Sequence, residues 1–212
     1  MSAPSFDAPF TLGAQIEARA LHPEWGARPF LLQGDRAWTM RQFRDESVRM
    51  AHCLLRRLGP IDEQHPGHVA MVLENHLELL AVYGGCAYAG LTLFGVNTGL
   101  RGDPLAGVLN QSRARIVIVD QRFAAELTRV QAQLTHVAPE NILVLRTGTD
   151  AVSGHDLMAA VTAEVGASGA NLEPPAADVS PMTPAIVIYT SGTTGLPKGI
   201  VTNHMKMLAI GM

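Results

Sequence analysis

The chain has 212 residues, of which 47% are hydrophobic and 17% charged, and its formal net charge is -3 at pH 7. This length suits one or two domains with a buried core, and the hydrophobic fraction is typical of globular proteins and excludes a disordered chain. The 16 Lys and Arg residues against 19 Asp and Glu residues leave no basic excess, which argues against nucleic-acid binding. The two cysteines, Cys53 and Cys86, lie in apolar helical patterns, so a disulfide framework is excluded and a cytoplasmic location is favoured.

The first sixty residues predict a helix, a short hairpin and a second helix. No basic and apolar secretion signal is visible before the first helix, which Thr11 is suited to cap. Thr39 and Gln42 have the spacing of a capping box, in which each side chain binds the other residue's backbone N–H, so we expect the second helix to begin there. The predicted segments are a helix to about Leu21, hairpin strands at Phe30–Gln33 and Ala37–Trp38, and a helix that ends at Gly59–Pro60.

Beyond residue 67, apolar runs and helical patterns alternate. The runs that are apolar throughout lie at Val69–Leu73, Leu91–Val96, Ile116–Val119 and Ile142–Leu145. The helices predicted around them lie at His76–Ala89, with Asn75 as its cap, at Pro104–Arg113, and from Phe123 to about Val137. Strands without a polar face are typical of a parallel sheet that is buried on both sides. The expected fold class is therefore α/β, with a mostly parallel sheet covered by helices on both faces.

Composition divides the chain into three expected portions. Residues 1–166 form an N-terminal α/β portion, and residues 167–184, rich in Ala, Gly and Pro, form a linker or a surface excursion. Residues 185–212 contain a buried strand at Ala185–Tyr189, a Gly-rich loop and the start of a further helix.

One uncharged stretch, Leu79–Leu100, has the length of a membrane span. Its Gly, Ala, Tyr, Cys and Thr content is weakly apolar, so a soluble helix, a turn at Gly90 and a strand are favoured, and peripheral membrane contact stays open. Gly84-Gly85 lacks the spacing of a dinucleotide-binding motif and predicts close helix packing, while Cys86 is expected to be a small core residue.

No metal site is predicted. The eight histidines are scattered, without the short His or Cys spacings of metal ligands. The acidic pair Asp62-Glu63 with His65 and His68 lies in a connector that contains Pro and Gly, where a solvated loop is the expected structure.

The segment Thr190–Gly199 has the composition of a phosphate-binding loop at the end of a buried strand. It contains four hydroxyl side chains, three glycines and Lys198 in ten residues. Glycines allow backbone N–H groups to point at an anion, and Lys198 supplies a compact positive charge. The pattern is not a Walker A loop, because Lys198 lies between Pro197 and Gly199. An ordinary surface turn rich in Gly, Ser and Thr is the alternative.

The segment Tyr189–Gly199 resembles the signature loop of the AMP-forming adenylate synthetases, which include acyl-CoA synthetases, adenylation domains of peptide synthetases and beetle luciferases. His204 resembles the histidine commonly found where the next helix of that superfamily begins, although a helix-start histidine without a chemical role is equally compatible. Asn97–Leu105, followed by Ser112–Ala114, is similar to the fatty-acid transport protein and very-long-chain acyl-CoA synthetase branch.

This resemblance implies an AMP-forming acyl-CoA ligase. A carboxylic acid, expected to be a fatty acid, would react with ATP and Mg²⁺ to give an acyl-adenylate, from which the thiol of coenzyme A takes the acyl group. The implied catalytic residues are Lys198 and Thr190. The implied phosphate cradle consists of Thr190, Ser191, Gly192, Thr193, Thr194 and Gly195, over which Lys198 closes as a mobile charge.

Members of the superfamily are more than twice as long as this chain. The sequence is therefore expected to be an N-terminal fragment that is inactive alone, with an exposed apolar surface through which copies could self-associate. Two alternatives stay open: a non-catalytic nucleotide- or partner-binding module, and an adenylating enzyme for an amino or aryl acid. Neither the acid nor the oligomeric state is predicted, because the family's acyl pocket is built largely from residues after the loop.

Overall fold

The computed structural model of the chain describes residues 9–148, 152–166, 172–190 and 197–210. Its strands are β1 (Pro29–Gln33), β2 (Arg36–Thr39), β3 (His68–Val72), β4 (Thr92–Gly95), β5 (Ile116–Asp120), β6 (Ile142–Leu145), β7 (His155–Asp156), β8 (Pro184–Thr190) and β9 (Lys198–Asn203). Its helices are α1 (Leu12–Leu21), α2 (Met40–Leu58), α3 (Leu77–Ala89), α4 (Gly102–Ser112), α5 (Gln121–Val130), α6 (Leu157–Val165) and α7 (His204–Ile210). Within these residues, none of the helices is long and apolar enough to span a membrane.

The described part of the chain forms two sheets, the hairpin β1–β2 and a seven-stranded sheet in the order β7-β6-β5-β3-β4-β8-β9. Neighbouring strands of the large sheet are parallel, except for the antiparallel pair β8–β9. The four apolar runs predicted as parallel strands correspond to β3, β4, β5 and β6. The predicted fold class is therefore confirmed, whereas the antiparallel strand β9 was not predicted.

Each face of the large sheet is covered at its centre by its own layer of helices. Successive residues of β5 point to opposite faces. Ile116 and Ile118 pack in the cluster that includes α1, α2, α3 and α6, whereas Val117 and Val119 pack with α4 and α5. Because both faces bury side chains, β5 needs apolar residues at consecutive positions, and this explains the continuous apolar run.

The starts of three helices test the predicted caps. Thr11 caps α1 by accepting a hydrogen bond from a backbone N–H, as predicted. Thr39 and Gln42 form both hydrogen bonds of the predicted capping box at the start of α2. The prediction that Asn75 caps α3 is wrong, because the backbone stays extended through His76, which becomes the N-cap without a side-chain hydrogen bond.

The segment after β5 differs more from the prediction. Helix α5 ends at Val130 and is followed by a short 3-10 turn, so it does not reach Val137. Strand β7 and helix α6 were not predicted. Asp156 Oδ1 accepts a hydrogen bond from the backbone N–H of Ala159 at 2.7 Å, which is a local signal for the start of α6.

Two glycines allow α3 to pack closely against α2, as predicted. A Cβ atom on Gly84 would lie 2.2 Å from Ser47 Oγ, and one on Gly85 would lie 2.8 Å from Met50 Cβ. Any larger residue at these positions therefore collides with α2. Cys86 beside them is buried in the core, as expected, and burial raises the pKa of its thiol.

Candidate functional site

Strand β8 brings the predicted phosphate-binding loop to the carboxyl edge of the parallel strands. The strand is parallel to β4, with Phe94 opposite Val187 and Gly95 opposite Ile188. Its last residue, Thr190, therefore lies at the same edge as the ends of β3, β4 and β5. Open α/β sheets bind ligands in the crevice outside the carboxyl ends of their strands, so this is the edge where a ligand site is expected.

The two ends of the predicted loop are held together by the antiparallel ladder of β8 and β9. Thr190 and Lys198 are direct partners in this ladder, and the Thr190 hydroxyl donates to the carbonyl oxygen of Lys198 at 3.4 Å. The structure thus places the two residues predicted as catalytic next to each other at the mouth of the loop. The side chain of Lys198 is exposed, while its backbone belongs to a strand.

The remaining predicted cradle residues lie outside the described part of the chain. These residues are Ser191, Gly192, Thr193, Thr194 and Gly195. Their assignment to phosphate binding stays a prediction.

Gly199 has a steric role at the base of the loop. A Cβ atom at this position would lie 2.8 Å from Val187 Cγ1 and 3.4 Å from the Tyr189 ring. A side chain would push β9 away from β8, so the glycine next to Lys198 is explained by close strand packing.

The loop after β4 adds polar groups to the same edge. Asn97 Oδ1 accepts a hydrogen bond from the backbone N–H of Gly99 at 2.8 Å, which closes a tight turn. Arg101 follows as the N-cap of α4, and its guanidinium lies 5.6 Å from the centre of the Phe123 ring. Because β4 is the neighbour of β8, this turn follows the strand next to the one that ends at Thr190.

An aromatic cavity of about 290 Å³ lies beside β8, on the face of the sheet that packs with α4. Tyr189 and Phe94 line it with ring centres 6.4 Å apart, and the ring of His68 lies 4.8 Å from that of Phe94 at an angle of 51°. His68 Nδ1 lies 2.7 Å from the carbonyl oxygen of Ser112, and burial lowers the pKa of His68. The neutral imidazole therefore serves as an aromatic wall of the cavity.

His204 lies far from the predicted loop. It follows the opposite end of β9 from Lys198, about 20 Å along the strand at 3.4 Å per residue. The side chain is fully buried, and Nδ1 accepts a hydrogen bond from the backbone N–H of Leu12 at 3.1 Å. Nδ1 is thus unprotonated, and burial lowers the pKa of His204. In this structure the histidine links the starts of α7 and α1.

The described residues contain no group of three or more His, Cys, Asp or Glu side chains that could hold a metal ion. Asp62 and His65 lie in an exposed turn, where Asp62 Oδ1 accepts hydrogen bonds from the backbone N–H groups of Gln64 and His65. The part of the connector with Asp62, Glu63 and His65 is thus a solvated loop, as predicted, whereas the prediction is wrong for His68, which is the half-buried first residue of β3.

Comparison with known proteins places the chain in a family. The sequence model of AMP-binding enzymes matches residues 17–211. A fatty acid–[acyl-carrier-protein] ligase, ScoC of Streptomyces coeruleorubidus, is 31% identical over 182 residues, which are 86% of this chain and 31% of that protein. The long-chain fatty acid transport protein 1 of Mus musculus is 31% identical over 183 residues, which are 82% of this chain and 26% of that protein.

The fold is shared with solved structures. The anthranilate CoA ligase AuaEII in complex with anthranoyl-AMP superimposes with a TM-score of 0.75 at 24% identity, over 96% of this chain and 36% of that chain. This chain therefore spans about a third or less of the length of these three proteins. The family resemblance inferred from Tyr189–Gly199 is confirmed by the match over 17–211. The chain belongs to the family of AMP-binding enzymes.

Proposed function

We propose that the chain is the part of an AMP-forming acid–thiol ligase that holds the phosphates of ATP. In the proposed reaction, a carboxylate oxygen attacks the α-phosphorus of ATP and pyrophosphate leaves. The thiol of coenzyme A then takes the acyl group, and AMP is released. The observation that carries the proposal is the paired position of Thr190 and Lys198 at the carboxyl edge of the sheet, in a chain that the AMP-binding family matches.

The residues at the loop mouth fit a polyphosphate. The hydroxyl of Thr190, which in this structure donates to the carbonyl oxygen of Lys198, can rotate to donate to a phosphate oxygen instead, and the exposed ammonium group of Lys198 can approach the same phosphate from the next strand. Because both backbones are fixed in the sheet, the two side chains start from fixed points at the mouth of the loop, from which they can reach the negative charge that accumulates on the leaving pyrophosphate. We assign the predicted cradle residues 191–195 to the same role. Mg²⁺ is proposed to arrive with ATP as its counter-ion.

A fatty acid is the proposed substrate, because two relatives that are 31% identical to this chain are named for fatty acids. An amino or aryl acid is the alternative, as is a module that binds a nucleotide or a partner without catalysis. We propose a cytoplasmic location. Peripheral membrane contact and self-association through apolar residues of β8 and β9 belong to the same proposal.

Binding of inorganic pyrophosphate to the 212-residue chain tests the phosphate site directly. The chain has two lysines, Lys198 and Lys206, and each is exposed, so two variants with the same charge change can be compared. Lys198→Ala is expected to weaken binding about tenfold or more, through loss of a charge-assisted hydrogen bond, while Lys206→Ala leaves it unchanged. Equal effects of the two variants in titration calorimetry would contradict the proposed site.

Acid-dependent exchange of pyrophosphate into ATP separates catalysis from binding. The chain alone is expected to bind pyrophosphate and to show little or no exchange with any fatty acid. Robust exchange would mean that these residues form a complete active site. Exchange by a longer protein that carries this chain, with a fatty acid but not with an amino or aryl acid, would support the proposed substrate class over its alternatives.

A further inference from the structure

The aromatic cavity beside β8 lies behind the proposed phosphate site, on the other face of the sheet. Side chains alternate between the two faces of a strand. Gly199 lines the cavity, so the side chain of the preceding residue, Lys198, emerges from the opposite face together with that of its ladder partner Thr190. A compound in the cavity therefore does not compete with a phosphate group for these two side chains.

The cavity exists because β9 has a glycine opposite an aromatic residue. Gly199 and Tyr189 are direct partners in the ladder, and a Cβ atom on Gly199 would lie 2.8 Å from Val187 Cγ1. The missing side chain thus leaves room over Val187. The floor of the cavity is buried, since Val187 and Phe94 are 5% and 7% exposed, whereas Val201 at the rim is 57% exposed. The cavity therefore has an apolar floor and a mouth that faces solvent.

Three rings from neighbouring strands line the cavity. His68 belongs to β3, Phe94 to β4 and Tyr189 to β8. The planes of Phe94 and Tyr189 are inclined by 35°, and those of His68 and Phe94 by 51°. Aromatic rings attract a further ring in offset or edge-to-face arrangements with centres about 4.5–7 Å apart. A planar ring placed in the cavity finds such partners in its walls.

His68 also offers a hydrogen-bond acceptor. Its Nδ1 lies 2.7 Å from the carbonyl oxygen of Ser112, and a carbonyl oxygen only accepts, so Nδ1 carries the proton. Burial, and to a smaller extent the positive charge of Arg113, lower the pKa of His68 and favour the neutral ring. Nε2 of the neutral ring is an unprotonated acceptor, and none of the described residues donates a hydrogen bond to it. Nε2 is thus the nitrogen left for a ligand.

The volume of the cavity restricts the size of an occupant. The cavity has about 290 Å³, and its other polar wall residues are Thr92 and Gln111. Small-molecule pockets start at about 300 Å³, and a cavity of about 150 Å³ is enough for benzene. The space therefore suits one ring or two fused rings and is too small for a folded segment of a partner.

We propose that the cavity is a binding site for a neutral planar compound of one or two rings, whose N–H or O–H group donates a hydrogen bond to His68 Nε2. The apolar floor and the nearby charge of Arg113 disfavour a cationic ring. An occupant would join the β8–β9 hairpin to the centre of the sheet, because the walls include residues of β3, β4, β8 and β9. The inference does not depend on the proposed function.

Indole and 1-methylindole are matched probes for this site, since they share both rings and only indole has an N–H donor. Each is titrated into the whole 212-residue chain at about pH 8, where His68 is neutral. The methyl NMR signals of Val187 and Val201 report on the cavity. Those of Ile200 are the control, because Ile200 is half-exposed on the opposite face of the same strand.

Saturable shifts are expected at Val187 and Val201 but not at Ile200. Indole should bind about 2- to 10-fold more tightly than 1-methylindole, as for one neutral hydrogen bond. Equal affinities of the two probes would overturn the proposal. So would shifts of similar size at Ile200, or shifts that do not saturate by about 10 mM indole.

Two variants test the acceptor and the cavity separately. His68→Phe keeps a ring in the wall and removes Nε2, so the preference for indole should disappear while 1-methylindole still binds. His65→Phe, in an exposed turn, should keep the preference. Val201→Phe places a ring at the exposed mouth and should weaken binding of both probes, and this variant decides if His68→Phe does not fold. A preference for indole that persists in His68→Phe, or unweakened binding to Val201→Phe, would refute the site.

A side chain from a second copy of the chain is the competing occupant. In that case the signals of Val201 would shift with protein concentration in the absence of indole, and sedimentation would detect a dimer. This result would also overturn the proposal. Signals that are independent of protein concentration, together with saturable indole shifts, would support it.

Discussion

The centre of the large sheet and the β8–β9 hairpin both contain Ile and Val residues, yet only the centre is covered on both faces. All residues of β5 are buried. In the hairpin, Ile188, Ile200 and Val201 are 52%, 50% and 57% exposed. The apolar run of β8 is like that of β5, so the exposure of Ile188 at the end of this run follows from the absence of a helical layer over it in the described residues. Apolar side chains grouped on a surface are typical of contact with further protein.

Truncating a residue at the centre has the largest expected effect on stability. Ile118 is completely buried on β5, so Ile118→Ala leaves a cavity that the surrounding helices cannot fill. We expect the free energy of unfolding to fall by about 2–5 kcal/mol, measured by urea denaturation. A loss below about 1 kcal/mol would show that the centre is less tightly packed than the structure indicates.

Replacing Lys198 of β9 is expected to lower the reaction rate without changing the free energy of unfolding. In a longer enzyme that carries this chain, Lys198→Ala should slow adenylate formation by roughly 10- to 1000-fold, as for the loss of one charge-stabilising donor. The free energy of unfolding should change by less than about 0.5 kcal/mol, because the side chain is exposed. Single-turnover kinetics and denaturation of the same variant give the two values. If Lys198→Ala were destabilised but formed the adenylate at the normal rate, Lys198 would have a structural role and not a role in the reaction.

His204, which follows the end of β9 opposite Lys198, is expected to make the free energy of unfolding depend on pH. Burial lowers the pKa of His204 below the ordinary value of about 6.5, so the unfolded chain binds the proton more readily than the folded one. The free energy of unfolding therefore does not depend on His204 titration well above about pH 6.5. It decreases as the pH falls below that value, by at most about 1.4 kcal/mol per pH unit.

His204→Asn keeps an acceptor near the position of Nδ1 and removes the titration. Denaturation midpoints between about pH 8 and 5 should show a smaller slope in this variant than in the unaltered chain. Part of the slope should persist, because burial also lowers the pKa of His68. An unchanged slope would mean that His204 does not contribute to it.

The smallest effect on the free energy of unfolding is expected for an isoleucine-to-alanine change in the β8–β9 hairpin. Ile200 is half-exposed, so Ile200→Ala removes less apolar surface from a buried environment than Ile118→Ala does. We expect a loss within about 1 kcal/mol in the same urea experiment. A loss as large as that of Ile118→Ala would mean that the hairpin is enclosed in solution, for example by a second copy of the chain, which sedimentation would detect.

The central strands could be predicted because their apolar runs have one physical cause, burial on both faces. The start of α2 could be predicted because its capping box is formed by Thr39 and Gln42, which are three positions apart in the sequence. Strand β7 could not, since its two residues become a strand only by pairing with β6. The cap of α3 was misplaced by one residue because the extended position of His76 depends on contacts with Gln33 and Asp120, which are distant in sequence.

The candidate site, too, has features that the local sequence predicts and features that depend on residues distant in sequence. The composition of Thr190–Gly199 predicted a phosphate-binding loop, but the ladder that pairs Thr190 with Lys198 depends on the direction of β9. The apolar pair Ile200-Val201 is compatible with a strand of either direction. The aromatic cavity has no local pattern at all, because His68, Phe94 and Tyr189 lie on three strands that become neighbours only through the order of the sheet.

Gly199 also has a consequence for insertions and deletions. Side chains alternate between the two faces of a strand, so a slip of one residue between β8 and β9 would exchange the faces of Lys198, Ile200 and Val201. Such a slip would bring a side chain to the position beside Val187 where even a Cβ atom does not fit. The glycine thus excludes the shifted pairings. Length changes inside β9 should be poorly tolerated, while the side of the sheet on which Lys198 emerges stays fixed.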